Sequence, residues 1–275
     1  MTRVAVVGLG LIGGSVAMAF EARGYDRNRA ARDAARRVGI DARDSLADAL
    51  EGADVVFAAV STAETPELLV EISAAAPSAV LTDTASLKRS IVEAARGLRS
   101  GVRFVAGHPM AGSHRRGVEF ASAELFQGRP WALCRTVRTD DEAFARIAGL
   151  VRTIRARPVP MDAEAHDRLM TWVSHLPLAV ASALTGAAFA GAGDGLAEVA
   201  GPGLLDSTRV ASQPAALALE LAMADPARLA EAIDAVGGRL RGLAEALRRG
   251  DETAVRAFFE EASERRNALI QPRAE

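Results

Sequence analysis

The chemistry in this sequence concentrates at residues 104–113, Phe-Val-Ala-Gly-His-Pro-Met-Ala-Gly-Ser. Val102, Phe104, Val105 and Ala106 form a short apolar run that reads as a buried strand. Gly107 ends it, Pro109 stops the pairing and Gly112 permits a tight turn. His108 is thereby held at the mouth of a strand on a loop shaped by Pro and Gly. An imidazole titrates near neutrality, so there it can take a proton at working pH. A lone histidine in such a place often does no more than cap a strand end. The chain has only 4 histidines, however, and each lies near other reactive types.

Residues 82–88, Thr-Asp-Thr-Ala-Ser-Leu-Lys, fall at the carboxyl end of another expected strand, where open α/β sheets bind ligands. Ser86 reads there as a helix N-cap, a structural role, or as a site hydroxyl. Lys88 is the only lysine of the chain, all other basic side chains being Arg. A composition rich in Ala and Arg reflects codon bias, and a lysine kept against it suggests a need for a compact ammonium. Ser113 and His114 continue the His108 loop. Further on, His166 and His175 stand nine positions apart, two and a half helical turns, and so do not share a face as a metal pair would. His175 immediately precedes a Leu-Pro pair, where helix carbonyls lose partners and a polar side chain is useful. Arg209, in Asp206-Ser-Thr-Arg, suits a carboxylate clamp in an apolar region, or else a surface pair with Asp206.

These groups need a second reactant, and the N-terminus supplies a site for one. Residues 3–7 are a β-branched run, followed by Gly8-Leu9-Gly10-Leu11-Ile12-Gly13-Gly14-Ser15 and a helical pattern over 16–23. This is the strand–G-x-G-x-x-G–helix context of dinucleotide binding. Gly8 makes the turn, Gly10 admits a pyrophosphate, Gly13 lets helix pack on sheet, and the N–H groups at Leu11 and Ile12 open the anion site. The acidic residue expected about twenty positions on, for the ribose, arrives early as Asp26, with no alternating strand between Arg23 and Tyr25. Asp26 favours NAD, whereas Arg27 and Arg29 would suit the phosphate of NADP. Ser61 and Thr62 close a buried strand over 54–60 beside the same cofactor.

The remaining pattern positions these groups. Strands at 80–83, 102–106 and 131–134 alternate with helices at 29–38, 45–50, 66–75, 86–98 and 140–155, giving an α/β, Rossmann-type doubly wound parallel sheet. Beyond Pro160 strand signals stop. A long helix over 163–191, bent at Pro177, and helices at 196–200, 214–223, 226–248 and 252–270 make an all-α second half. Residues 1–160 therefore form the dinucleotide-binding domain and 161–275 a helical substrate and dimerisation domain. A net charge of −2 carries no nucleic-acid footprint, and the single cysteine, Cys134, excludes an internal disulfide or a cysteine metal cluster. Residues 169–193 lack charge for long enough to span a bilayer. Their His, Pro, Ser and many Ala argue for a helix buried inside a soluble protein or in a subunit interface. No leader pattern precedes the first strand, which makes the cytoplasm the expected compartment.

Taken in order, GLGLIGGS (8–15), TDTASLK (82–88), GHPMAGS (107–113), SHLP (174–177) and DSTRVAS (206–212) resemble the prephenate and arogenate dehydrogenases of tyrosine biosynthesis, over nearly the whole chain. The resemblance implies NAD(P)-dependent oxidative decarboxylation of a cyclohexadienyl ring by a homodimer joined through its helical half, without a metal. It implies that His108 takes the proton of the ring hydroxyl, that Ser86 orients both, and that Arg209 holds a substrate carboxylate. His175, Ser113, His114 and Lys88 complete the substrate side; Gly8, Gly10, Leu11, Ile12, Gly13, Asp26 and Ser61 the cofactor side. Two departures stand out. Many members carry an acidic residue in place of His114, and several prephenate users carry a second histidine where this chain has Leu178, which leans toward arogenate. Relatives acting on the amino analogue of prephenate share the framework. A β-hydroxyacid dehydrogenase would use a lysine on the helical half, which has none. A non-catalytic dinucleotide sensor would not need His108, Ser86 and Arg209 together.

Overall fold

The structure, a computed structural model, describes residues 2–112 and 115–270, apart from the side chain of Asp194. By packing, the chain divides into residues 1–170 and 171–275. That boundary falls ten residues beyond Pro160 because the first helix past the strands packs with the α/β half.

The first unit runs β1 (Val4–Val7), α1 (Leu11–Phe20), β2 (Arg23–Tyr25), α2 (Arg29–Arg37), β3 (Asp41–Ala42), α3 (Leu46–Leu50), β4 (Val55–Ala58), α4 (Thr65–Ala75), β5 (Val80–Asp83), α5 (Arg89–Ala94), β6 (Arg103–Pro109), β7 (Pro130–Cys134), α6 (Asp141–Thr153), β8 (Arg157–Met161) and α7 (Ala163–Met170). The eight strands form one sheet in the order β3-β2-β1-β4-β5-β6-β7-β8. All pairs are parallel except β6 with β7, so the expected parallel sheet carries one antiparallel junction, with the β7–β8 pair beyond it. The strand order reverses between β1 and β4, and the crevice there is where such sheets bind ligands. Central strands are buried on both faces, which is why β1 and β4 read as unbroken Val, Ala and Phe. One face gathers Val6, Phe57, Trp131 and Ile147, with Phe57 stacked on Phe20 and edge-on to Trp131. The other gathers Val56, Ile72, Leu81 and Phe104.

The strand judged missing before Asp26 is present. Arg23–Tyr25 pairs with Ala5–Val7 over three residues. Gly24 carries no alternation because a Cβ there would lie 2.7 Å from the Leu9 side chain, which packs on it. Central pairing thus overrides the local pattern.

The second unit opens with a π-helical turn, Thr171–His175, then α8 (Leu176–Ala192), α9 (Leu196–Val199), α10 (Pro202–Thr208), α11 (Ala215–Met223), α12 (Pro226–Arg249) and α13 (Glu252–Ile270). Pro177 cannot donate to the preceding turn, and the π-turn just before it absorbs the mismatch. Its buried centre is small: Leu176, Leu229 and Ala232, with Ala222 and Val236 against them. Phe189, Leu219, Met223, Leu240 and Phe259 are exposed. Residues 163–192 are long and apolar enough to cross a membrane, and 22% of an apolar 18-residue stretch among them is buried within the chain. The expectation of a helix covered on all sides inside one chain is therefore corrected: Leu184 and Phe189 lie open.

Candidate active site

The glycine loop shows a physical fit to a dinucleotide. Gly8 has φ +100°, and a Cβ on it would stand 2.4 Å from the Ala59 carbonyl oxygen. A Cβ on Gly13 would stand 1.8 Å from the Gly8 carbonyl oxygen, so helix and turn close only with glycine there. A Cβ on Gly10, the N-cap of α1, would meet nothing within 4 Å, so this side of the turn is open to a pyrophosphate. Gly14 and Ser15 do something different. A Cβ on Gly14 would meet Val118 at 2.7 Å, and Ser15 Oγ, while donating to the Leu11 carbonyl, accepts the Ser122 N–H at 3.1 Å. They dock the segment that follows the His108 loop. Leu11 and Ile12 are half-buried in the first turn of α1, Ile12 against the core.

Asp26 follows β2 directly. Its carboxylate accepts the N–H groups of Leu9 and Asn28, each at 2.8 Å, so it holds the glycine loop while facing the cleft. That cleft, about 210 Å³, is lined by Gly8, Gly10, Asp26, Arg27, Val60 and Glu64, among others. Arg27 pairs with Glu71 at 2.6 Å and Arg29 with Asp33 at 3.7 Å. Ser61 bonds Glu64 Oε2 at 2.5 Å and receives the Glu64 N–H at 3.3 Å, the reciprocal pattern of a helix start.

Two adjacent strand ends carry the reactive groups, because β5 and β6 pair in parallel, Thr82 opposite Val105. Asp83 and Lys88 are fully buried and paired with each other. Between them they hold the Gly107 peptide. Its N–H donates to Asp83 Oδ1 at 2.9 Å, and its carbonyl accepts from Lys88 Nζ at 2.6 Å. Gly107 has room for nothing larger: a Cβ would lie 2.7 Å from the Asp83 carbonyl oxygen and 3.0 Å from Trp131 Nε1. The residue before His108 is thus fixed from both sides. Lys88 is corrected from the substrate contact read for it; a buried, ion-paired ammonium cannot reach a ligand. Nearby Cys134 is also buried, and desolvation pushes its thiol up to about 12.

Ser86 does not cap α5. Helix α5 starts at Arg89 after Lys88, which makes no side-chain cap. The capping carboxylate comes from α7: Asp167 accepts the Lys88 N–H at 2.8 Å and the Arg89 N–H at 2.9 Å. Ser86 Oγ instead faces Thr62 Oγ1 at 3.4 Å. Asp167 also bonds His166 Nδ1 at 2.7 Å, and His166 Nε2 lies 2.9 Å from His108 Nδ1. Burial raises the Asp167 carboxyl, but the bonds from His166, Lys88 N–H and Arg89 N–H outweigh it and hold the group below its ordinary 3.8. His166 and Asp167 are the residues sequence reasoning missed. Their signal was His166 itself, which the sequence shows only by its spacing from His175.

In the second unit His175 is buried in the π-turn, and Arg209 is exposed at the start of a 3-10 turn after α10. Among the described residues no ion pair joins Arg209 to Asp206, so the surface-pair reading of Arg209 falls away. Ser113 and His114 lie outside the described residues.

Comparison with known proteins spans both units. Residues 18–159 match the nucleotide-binding domain of prephenate dehydrogenase, and residues 162–261 its dimerization domain. A prephenate dehydrogenase of Lactococcus lactis is 32% identical over 98% of this chain and 78% of its own length. The solved prephenate dehydrogenase of Aquifex aeolicus, in complex with hydroxyphenyl propionate and NAD+, matches at a TM-score of 0.86 with 26% identity, covering 98% of both chains. The arogenate dehydrogenase of Synechocystis matches at 0.81 with 27% identity, covering 98% of this chain and all of that one.

Proposed function

The chain belongs to the prephenate dehydrogenase family, and from that membership and the His108 site we propose that it oxidises and decarboxylates prephenate or arogenate, using NAD in preference to NADP. The observation that carries the reading is His108 at the carboxyl end of β6, its backbone pinned through Gly107 and its Nδ1 tied to His166. Such a ring is a base with a fixed direction, and general-base help of this kind is worth about 10²–10⁴ in rate.

The nicotinamide dinucleotide, when bound, supplies the two-electron acceptor. The glycine loop 8–13 would hold its pyrophosphate and Asp26 its ribose. Each residue's task then follows from chemistry. His108 Nε2 takes the ring hydroxyl's proton while that carbon gives up its hydrogen with two electrons, leaving a ring carbonyl. Loss of the ring carboxylate as CO2 returns an electron pair to the ring, and the oxygen recovers its proton from His108 as the ring becomes aromatic. Ser86 would orient the hydroxyl, Arg209 hold a carboxylate of the substrate and His175 bind substrate, the roles that the family resemblance gives them. The NAD preference is supported by the Asp26 carboxylate in the cleft, which repels a ribose phosphate, and by the pairing of Arg27 and Arg29 with Glu71 and Asp33. Leu178, in place of a histidine, supports arogenate. The exposed apolar side chains of the helical unit support a homodimer joined through it. Tyrosine biosynthesis and a cytoplasmic location accord with the family.

The deciding experiment offers prephenate and arogenate, each with NAD and with NADP, and follows absorbance of the reduced nicotinamide. Turnover with arogenate and NAD above the other three combinations is expected. Silence in all four, from folded protein that binds dinucleotide, would overturn the reading.

A further inference from the structure

Resting on the dehydrogenase reading above, we propose that His166 and Asp167 are positioning residues that set the tautomer of His108 and hold the positive charge while the ring is oxidised. A carboxylate accepts hydrogen bonds and donates none. The 2.7 Å contact of Asp167 with His166 Nδ1 therefore puts a proton on that nitrogen. Neutral His166 then has a lone pair on Nε2. At 2.9 Å from that lone pair, His108 Nδ1 must be the donor, since two facing lone pairs would repel. His108 is left with its lone pair on Nε2, the tautomer that acts as a base. Isolated imidazole side chains favour the opposite tautomer, so the protein selects this one.

The selection is rigid at both ends. Asp167 is fixed by two backbone N–H groups of the α5 start, and His108 by the Gly107 peptide clamped between Asp83 and Lys88. Both anchors come from the same seven residues, 83–89. His166 is fully buried and meets His108 edge-on, with ring centroids 5.1 Å apart at 64°. Among the hydrogen bonds given above, the charged groups on the rings and their anchors are Asp167 on α7, which bonds His166, and Asp83 and Lys88, which hold Gly107.

Proton movement through the pair balances. When Nε2 of His108 takes the hydroxyl proton, the proton on its Nδ1 shifts to His166 Nε2. The imidazolium then sits against the Asp167 carboxylate. Departure of CO2 leaves a phenolate-like oxygen, which takes a proton back from His108 Nε2, and His166 returns its own. Nothing is consumed and no further reactant is required.

The test is a long-range proton–nitrogen correlation spectrum of the full-length protein labelled with 15N-histidine. Four histidines give eight ring nitrogens, assigned with H108N and H166L. Both His108 and His166 are expected as Nδ1–H tautomers near neutral pH; His108 found as Nε2–H would overturn the proposal. H166L is expected to lose about 10²-fold in kcat with KM nearly unchanged, and to release His108 to the common tautomer. H166Q, whose amide oxygen can still accept the His108 Nδ1–H, is expected to keep the tautomer and recover much of kcat. D167N moves the acid limb of kcat/KM to lower pH, because the imidazolium loses its counter-charge. H166L with kcat within twofold of the parent protein also refutes the pair. Expected tautomers in a protein silent toward all four substrate and cofactor combinations would support the pairing while sinking the dehydrogenase reading, so the two failures are distinguishable.

Discussion

Lys88→Met exposes the logic of the site most directly. Lys88 and Asp83 are both fully buried, and the ammonium bonds the Asp83 carboxylate and the Gly107 carbonyl. Removing it strands a carboxylate in the core with only the Ala85 and Gly107 N–H groups for company, and it orphans the Gly107 carbonyl. Breaking a buried pair from one side costs about 3–5 kcal/mol. At roughly 2–4 °C per kcal/mol for a unit of this size, the melting temperature should fall by about 6–20 °C. D83N/K88M should be more stable than K88M alone, since Asn still accepts the Gly107 N–H and leaves no buried charge. Lys88→Arg should cost about 1–3 kcal/mol, because a larger planar fork must enter a filled space. Thermal and urea melts of the four proteins, with dinucleotide binding as a check on the glycine loop, decide the matter. A K88M protein within 1 kcal/mol of the parent, or a double variant less stable than K88M, would refute the assignment of Lys88 to the buried pair.

Four further outcomes are expected. His108→Asn should reduce kcat at least about 10²-fold while leaving NAD affinity intact by fluorescence titration; near-normal turnover would remove the base. Gly107→Ala drives a methyl to within 2.7 Å of the Asp83 carbonyl oxygen, so it should lower both stability and kcat, measured on one preparation by melting and by steady-state kinetics. Asp167 has a folded-state pKa below its ordinary 3.8, so its contribution to stability is full above about pH 4 and is lost as pH falls through the folded value; D167N should flatten that acid part of a stability–pH curve and leave the neutral slope alone. Cys134, buried with its thiol at about 12, should resist a thiol reagent at pH 8 until the protein is unfolded.

The differences between sequence and structure have a common physical cause. The glycine loop was legible because a glycine turn acts within a few residues of where it is written, and His108 because its type announces a proton acceptor. Gly107 and Pro109, read as ending the strand, instead lie inside β6 opposite Leu133 and Trp131, because the antiparallel partner β7 extends the pairing past them. The helical half was legible from the loss of strand signals, except for α10, which is short and begins inside a Gly-Pro-Gly run. What stayed hidden depended on partners far away in the chain. Three residues make β2 a strand because β1 pairs with them along their whole length, and Gly24 breaks the alternation only because Leu9 packs there. Ser86 had the type and position of an N-cap, yet α5 takes its cap from Asp167, 79 positions from Lys88. The lone lysine drew attention to a residue that is fully buried and ion-paired. Its destination, between the buried carboxylate that ends β5 and the Gly107 carbonyl of the neighbouring β6, could be read only with both strands in place. The same holds for His166, whose chemistry depends on which nitrogen meets which partner. Metal ligands converge on one point, whereas here carboxylate, imidazole and imidazole lie in series. A series of this kind leaves no spacing rule in the sequence, because its members sit on a strand end and a separate helix. Its order is set by the α5 start, which binds Asp167 on one side and, through Lys88, Gly107 on the other.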